Sequence, residues 1–118
     1  KPILVDAVHN PDGSISTRTE PSIWRRPISS QTADTVLSML YESVGYGYAR
    51  RAAIAGINVA GKTGTAESGR EAPHGWFIGS AGVDAPAIVV SVCLDYGGEG
   101  GGLALDIGRE LLAAAVGP

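Results

Sequence analysis

The residues best equipped for chemistry lie in one short segment, Gly61-Lys62-Thr63-Gly64-Thr65-Ala66-Glu67. Lys62, one of only two lysines in the chain, supplies a cation, while Thr63 and Thr65 supply hydroxyl groups that can bind a carboxylate. The two glycines of the segment allow a peptide-like ligand to approach the backbone closely. Two unrelated kinds of site contain a lysine in such a setting, and the elements around it distinguish them.

The first kind of site is a phosphate-binding P-loop. Residues 56–63 satisfy its pattern, G-x-x-x-x-G-K-[ST]. However, a P-loop requires a helix that begins at the lysine, because the amino end of that helix binds the phosphate. Two glycines, a serine and a proline between residues 64 and 73 lie where this helix would run. The context therefore disfavours a nucleotide-binding protein.

Three apolar segments predict strands that would position Lys62: residues 58–67, 76–81 and 87–94. The connection at residues 82–86 is too short for a parallel crossover, so antiparallel pairing is expected. Glycine-rich residues 97–102 predict a flexible loop, and residues 103–116 predict a final helix. Four side chains of that helix are expected to face the sheet: Leu105, Leu111, Leu112 and Val116. The expected fold class is α/β, an antiparallel sheet packed with helices.

The first half of the chain predicts smaller elements. Residues 3–8 read as a strand, residues 10–13 as a turn, and a short strand is expected near Ile15. Ser29 or Ser30 can cap a helix that Gly45 ends. A short helical turn is expected at residues 48–53, with both of its arginines in solvent.

Composition limits the classes of function. The 118 residues, 44% hydrophobic and 18% charged, suit one domain or part of one. A net charge of −3 argues against nucleic acid as a partner. The single cysteine and two distant histidines predict neither a metal site nor a cofactor. No apolar run could cross a membrane, so membrane attachment would require an N-terminal anchor that is absent from the chain.

The second kind of site is the K-T-G strand of serine acyl-transfer enzymes that react with β-lactams. The segments Val59–Glu67, His74–Gly79 and Ala87–Val92, followed by a glycine-rich loop and a helix, occur here in that order. In these segments and in their order, the chain resembles the C-terminal part of the transpeptidase domain of class B penicillin-binding proteins. The similarity is greatest to the penicillin-binding protein A type of actinobacteria.

The resemblance implies a membrane-anchored, extracytoplasmic D,D-transpeptidase that cross-links peptidoglycan stem peptides ending in D-Ala-D-Ala and is acylated by penicillin. It implies that Lys62 and Thr65 are catalytic, the N–H of Thr65 being one oxyanion donor. It also implies that Thr63, Gly64 and Thr65 bind the substrate carboxylate. The family's S-x-x-K and S-x-N motifs, which carry the nucleophile, do not occur in the chain. They are expected in an N-terminal part of the same protein, and residues 1–118 alone are expected to be inactive.

Two alternatives share this fold, namely a non-catalytic binding module and a serine β-lactamase. The continuation Thr65-Ala66 and the segment Trp76-Phe77-Ile78-Gly79 favour a transpeptidase over a β-lactamase. The aromatic pair in that segment is expected to pack rather than to bind substrate. Cys93 lies in a strongly apolar strand and is expected to be buried and inert.

Overall fold

The computed structural model describes residues 1–69, 72–82 and 86–116, which fall into two compact units, Lys1–Thr32 and Ala33–Pro118. Its elements in chain order are β1 (Ala7–His9), β2 (Ile15–Arg18), α1 (Ser30–Gly45), a 3₁₀ turn (Arg50–Ala52), β3 (Asn58–Ala66), β4 (His74–Gly82), β5 (Ile88–Leu94) and α2 (Leu103–Val116). The antiparallel α/β class is confirmed, as are the predicted strands of the main sheet. The predicted loops at residues 70–71 and 83–85 lie outside the described residues.

The first unit contains the antiparallel hairpin β1–β2. Its turn is closed by the N–H of Asn10, which donates to the carbonyl of Ser14 at 2.8 Å, and Gly13 provides the positive φ of 85°. The prediction of a strand at residues 3–8 is wrong for residues 3–6, because ladder pairing begins only at Ala7, opposite Arg18. The segment after β2 still lies beside these residues, since the N–H of Thr19 donates to the carbonyl of Asp6 at 2.7 Å, but its contacts do not repeat as a ladder.

The helix α1 begins and ends where the sequence predicts. The hydroxyl of Ser29 accepts a hydrogen bond from the N–H of Thr32 at 3.1 Å, which caps the first turn. Val44 is the buried residue of this helix, and its apolar residues Val36 and Met39 are exposed. The described residues therefore leave much of the apolar surface of α1 uncovered.

The main sheet has the strand order β3–β4–β5, and both pairings are antiparallel. Because side chains alternate along a strand, the sheet has two faces of different character. One, the helix face, carries Val59, Phe77 and Val92, which are buried, and α2 packs against it. The other, the open face, carries Lys62, Gly64, Trp76, Ile78 and Val89, of which Val89 is 72% exposed.

The helix α2 closes the helix face with Leu105 and Leu112, both fully buried, while Val116 packs at the margin of the core. The prediction for Leu111 is wrong, since that side chain is 50% exposed. Residue 111 is displaced by about 100° around the helix axis from residue 112, and the sheet covers a narrower sector than the apolar sequence suggests.

The glycine-rich loop between β5 and α2 is held at several points rather than free. The N–H of Gly98 donates to the carbonyl of Pro73 at 3.1 Å, and that of Gly102 donates to Glu99 at 3.0 Å. Arg51, which was expected in solvent, donates to the carbonyl of Gly101 at 3.1 Å and to Asp106 of α2 at 2.7 Å. The prediction that Arg51 lies in solvent is confirmed, since its side chain is 57% exposed, but the loop and α2 also offer it three acceptor oxygens.

Candidate functional site

Lys62 lies in the middle of β3, opposite Ile78 of β4. Its side chain is exposed on the open face, and its ammonium group donates to the carbonyl of Thr63 at 2.7 Å. An ammonium group has three donors, so others remain for a ligand or a neighbouring group. The position of Lys62 on a strand is the one that the K-T-G motif requires.

The position of Lys62 on a strand also shows that the P-loop hypothesis is wrong. Residues 58–66 form one continuous strand, so no helix begins at Lys62. The neighbouring strand β4 is antiparallel, whereas a P-loop follows a strand of a parallel sheet. Without a helix amino end, the glycines around Lys62 have no phosphate-binding role.

Thr63 and Thr65 point to the side of β3 opposite Lys62, because their positions alternate with it along the strand. Thr63 is half-buried and Thr65 is exposed. The hydroxyl oxygen of Thr65 accepts a hydrogen bond from the N–H of Gly100 at 3.2 Å. The motif therefore presents a cation on one side of its strand and two hydroxyl groups on the other.

Gly100 packs so closely against the motif that no side chain would fit at its position. A Cβ atom at this position would lie 2.5 Å from the carbonyl oxygen of Trp76 and would overlap that of Gly64. At Gly64 itself a Cβ atom would lie 3.3 Å from the Cβ of Trp76, on the open face. The absence of side chains at residues 64 and 100 thus lets the loop lie directly on the backbone of the motif.

Among the described residues, β3 is an edge strand, since β4 pairs with it on one side only. An edge strand presents backbone N–H and C=O groups to which an extended peptide can add as a further strand. Lys62, Thr63 and Thr65 lie along this edge. A peptide bound there would meet both the backbone groups of β3 and these side chains.

Comparison of the sequence with models of known protein families identifies the family of this chain. The model of the penicillin binding protein transpeptidase domain matches residues 1–113. The chain belongs to this family.

Curated relatives agree with this assignment. The peptidoglycan D,D-transpeptidase PbpA of Mycolicibacterium smegmatis is 36% identical over 125 residues, and PbpA of Mycobacterium tuberculosis H37Rv is 34% identical over 127 residues. Each alignment covers 98% of this chain but 25% of the relative. The chain thus spans about a quarter of the length of the curated relatives that it matches.

Solved transpeptidase structures have the same fold. Penicillin-binding protein A from M. tuberculosis, as an imipenem acyl-enzyme complex, matches with a TM-score of 0.83 at 34% identity over 97% of this chain and 26% of that one. The D,D-transpeptidase domain of a peptidoglycan glycosyltransferase from Eggerthella lenta matches with a TM-score of 0.78 at 36% identity, over 93% of this chain and 26% of that one.

The other side chains near the transpeptidase motif divide between core and surface. Phe77 is fully buried, which confirms that it packs, whereas Trp76 lies half out of the open face. The prediction for Cys93 is wrong, because its thiol is exposed opposite Trp76. Apolar residues lie on both sides of β5, but α2 covers only one of them.

A polar cluster lies at the end of the sheet beyond the motif. The Nδ1 atom of His74 lies 3.1 Å from the carboxylate of Asp95 and 3.2 Å from the N–H of Tyr96. The rings of His74 and Tyr96 are 4.8 Å apart, and Tyr96 has a φ of 53°, which is uncommon for a residue other than glycine. This cluster fixes the start of the glycine-rich loop.

Sequence reasoning missed Gly100 as a neighbour of the motif and Arg51 as a partner of the glycine-rich loop. A run of glycines carries no periodic signal, so it does not reveal which of its members touches β3. The described residues contain no cluster of potential metal ligands and no helix that could span a membrane.

Proposed function

We propose that the protein containing this chain is a serine-type peptidoglycan D,D-transpeptidase, and that residues 1–118 form the C-terminal part of its transpeptidase domain. The observation that carries this proposal is the K-T-G-T segment on an edge strand, within a chain of the transpeptidase family. The similarity to mycobacterial D,D-transpeptidases and to a penicillin-binding protein solved as an imipenem acyl-enzyme supports it.

The proposed reaction has two covalent steps. A serine hydroxyl attacks the carbonyl carbon of the penultimate D-Ala of a stem peptide, the bond to the terminal D-Ala nitrogen breaks, and that residue leaves as an amine. An amine of a second peptide then attacks the ester, forming the cross-link and restoring the serine. A β-lactam enters the first step, but its ring-opened acyl group remains on the serine.

Lys62 would act through its charge in this site. Negative charge develops on the carbonyl oxygen in the tetrahedral transition state, and the incoming peptide carries a terminal carboxylate. A cation that the strand already holds in place stabilises both without having to reorganise. The backbone N–H of Thr65 is the proposed oxyanion donor supplied by this chain.

The hydroxyl groups of Thr63 and Thr65 would bind the substrate carboxylate. A hydroxyl donates one hydrogen bond, and donation to a charged acceptor is stronger than to a neutral one. Gly64, between them, has no side chain to separate the bound peptide from β3. Binding of the carboxylate therefore places the scissile bond along the edge of the strand.

The nucleophile and its base would come from an N-terminal part of the same protein that carries S-x-x-K and S-x-N. The open face supports this, because three large apolar side chains are exposed on it: Trp76 and Ile78, two positions apart on β4, and Val89, diagonal to Ile78 on β5. A contiguous apolar surface of this kind normally has a partner. We place the protein on the extracytoplasmic face of the bacterial membrane, anchored through a segment outside these residues.

The test uses the complete protein and a fluorescent penicillin. We expect one covalent label per molecule, and peptide mapping should place it on a serine outside residues 1–118. Prior acylation with unlabelled penicillin G should abolish the signal. No label on the folded complete protein would contradict the proposed function.

A further inference from the structure

The starting observation is the hydrogen bond that Thr65 receives. The N–H of Gly100 donates to its hydroxyl oxygen at 3.2 Å, across 35 positions of sequence. A hydroxyl oxygen can accept and donate at the same time. Since an N–H approaches on one side, the hydroxyl hydrogen of Thr65 is turned away from Gly100 and is available to a different acceptor.

The position of Gly100 is in turn fixed by contacts on both sides of it. Its backbone lies against the backbone of Gly64 and Trp76, where no Cβ atom would fit. The next residue, Gly101, uses its carbonyl to accept a hydrogen bond from Arg51 at 3.1 Å. The loop is therefore held between β3 and Arg51, which lies 50 positions before Gly101 in the sequence.

Arg51 is itself held by a carboxylate of α2. One of its terminal nitrogens donates to both oxygens of Asp106, the first of them at 2.7 Å, while the other nitrogen binds Gly101. The planar guanidinium group can serve two acceptors in one fixed geometry, which an ammonium group does less well. The preceding residue, Arg50, takes no part in this network.

We propose that Arg51 and Gly100 are positioning residues for the Thr65 hydroxyl, so that the glycine-rich loop is a functional part of the carboxylate-binding site. The inference deepens the proposed function and rests on it. Arg51 fixes Gly101, the adjoining Gly100 fixes the acceptor side of the hydroxyl, and the hydroxyl hydrogen is left directed at the substrate carboxylate. Neither positioning residue touches the substrate.

The test compares Arg51→Gln with the matched variant Arg50→Gln in the complete protein. Both remove one positive charge from adjacent positions. Acylation rates are measured with penicillin G, which carries the carboxylate, and with its methyl ester, which does not. We expect Arg51→Gln to slow acylation by penicillin G about tenfold, equivalent to one well-placed hydrogen bond, and acylation by the ester less than twofold. Arg50→Gln should change neither rate more than twofold.

Two further variants separate positioning from general stability. In a Thr65→Val background, Arg51→Gln should have no additional effect, because the hydroxyl on which it acts is absent. Asp106→Asn, which loosens Arg51 without removing it, should cause a smaller loss with the same dependence on the carboxylate. If Arg51→Gln does not fold, Asp106→Asn tests the same prediction in its place.

The outcomes are distinct. Equal rates for the two arginine variants, or equal losses with penicillin G and its ester, would overturn the role of the loop while leaving the proposed function intact. Failure of the unaltered protein to react with penicillin would overturn both.

Discussion

Phe77 and Gly108 are in such close contact that the ring occupies the space where a side chain at residue 108 would begin. A Cβ atom there would lie 2.7 Å from the ring atom Cε1 and would overlap Cδ1. A Cβ atom at Gly61 would lie 2.9 Å from the same ring, and one at Gly79 would lie 2.8 Å from it. One aromatic ring thus connects α2 to the strand that carries Lys62, and three glycines make room for it.

Gly108→Ala should destabilise the protein. The added methyl group must displace either Phe77 or the whole of α2, and overpacking of this kind costs about 1–3 kcal/mol. The urea midpoint of the complete protein measures the loss. Gly45→Ala is the matched control, since a Cβ atom at Gly45 meets no other atom within 4 Å. Equal midpoints for the two variants would show that the contact with Phe77 is not tight in solution.

Lys62→Ala should slow acylation of the complete protein by penicillin at least tenfold, because a preorganised cation acts on charge that develops in the transition state. Each factor of ten corresponds to about 1.4 kcal/mol. Lys1→Ala removes the other lysine and should leave the rate unchanged. A rate for Lys62→Ala within twofold of the unaltered protein would remove Lys62 from the mechanism.

Gly100→Ala and Gly101→Ala are adjacent changes with opposite expectations. The first places a methyl group against the backbone of the motif and should push the loop off β3, slowing acylation by penicillin G. The second places it in open space and should leave the acylation rate within twofold. Similar rates for both would mean that the loop does not rest on Gly64.

The 118-residue chain alone should not form a covalent adduct with a fluorescent penicillin. Acylation requires a serine activated by an adjacent base, and neither S-x-x-K nor S-x-N occurs in it. Denaturing electrophoresis after incubation checks this, with the complete protein as the positive control. A stoichiometric serine adduct on the chain would mean that it carries an unrecognised nucleophile.

Asp12 should titrate below the ordinary range for an aspartate. The hydroxyl of Ser14 and then its N–H, at 2.9 Å, donate to the carboxylate and lower the pKa of Asp12. Because the folded pKa is lowered, the resulting stabilisation is present above the unfolded value of about 3.9 and is lost as the pH falls through the folded pKa. Carboxyl NMR titration of Ser14→Ala should show the pKa of Asp12 moving up. An unchanged pKa would contradict the assignment.

The hydrophobic pattern and the turn residues were sufficient to predict most helices and strands of the unit that contains the main sheet. Three features follow from apolar runs separated by glycine: the position of Lys62 on a strand, the antiparallel pairing of β4 with β5, and the start of α2 at Leu103. These features depend on local sequence, which is why they can be read from it. The predicted position of Lys62 on a strand also argued against a P-loop, although residues 56–63 match the P-loop pattern.

The errors have a common physical origin. Leu111 and Cys93 are apolar and sit in apolar segments, yet their exposure depends on which face a neighbouring element covers. Likewise, residues 3–6 have strand composition, but their contacts with the segment after β2 do not form a regular ladder. The link from Arg51 to Gly101 joins two segments through a backbone carbonyl, and a carbonyl is the same whatever the residue, so no side-chain pattern reports it.

The order of the elements has a consequence for biosynthesis. All three strands of the main sheet precede α2 along the chain, so they leave the ribosome before the helix that buries Phe77 and Val92. At the proposed extracytoplasmic location the strands also arrive first, so the sheet exposes both its faces until Leu105 and Leu112 follow. A truncation within α2 is therefore expected to yield an aggregation-prone product in which the K-T-G strand is complete but its support is missing.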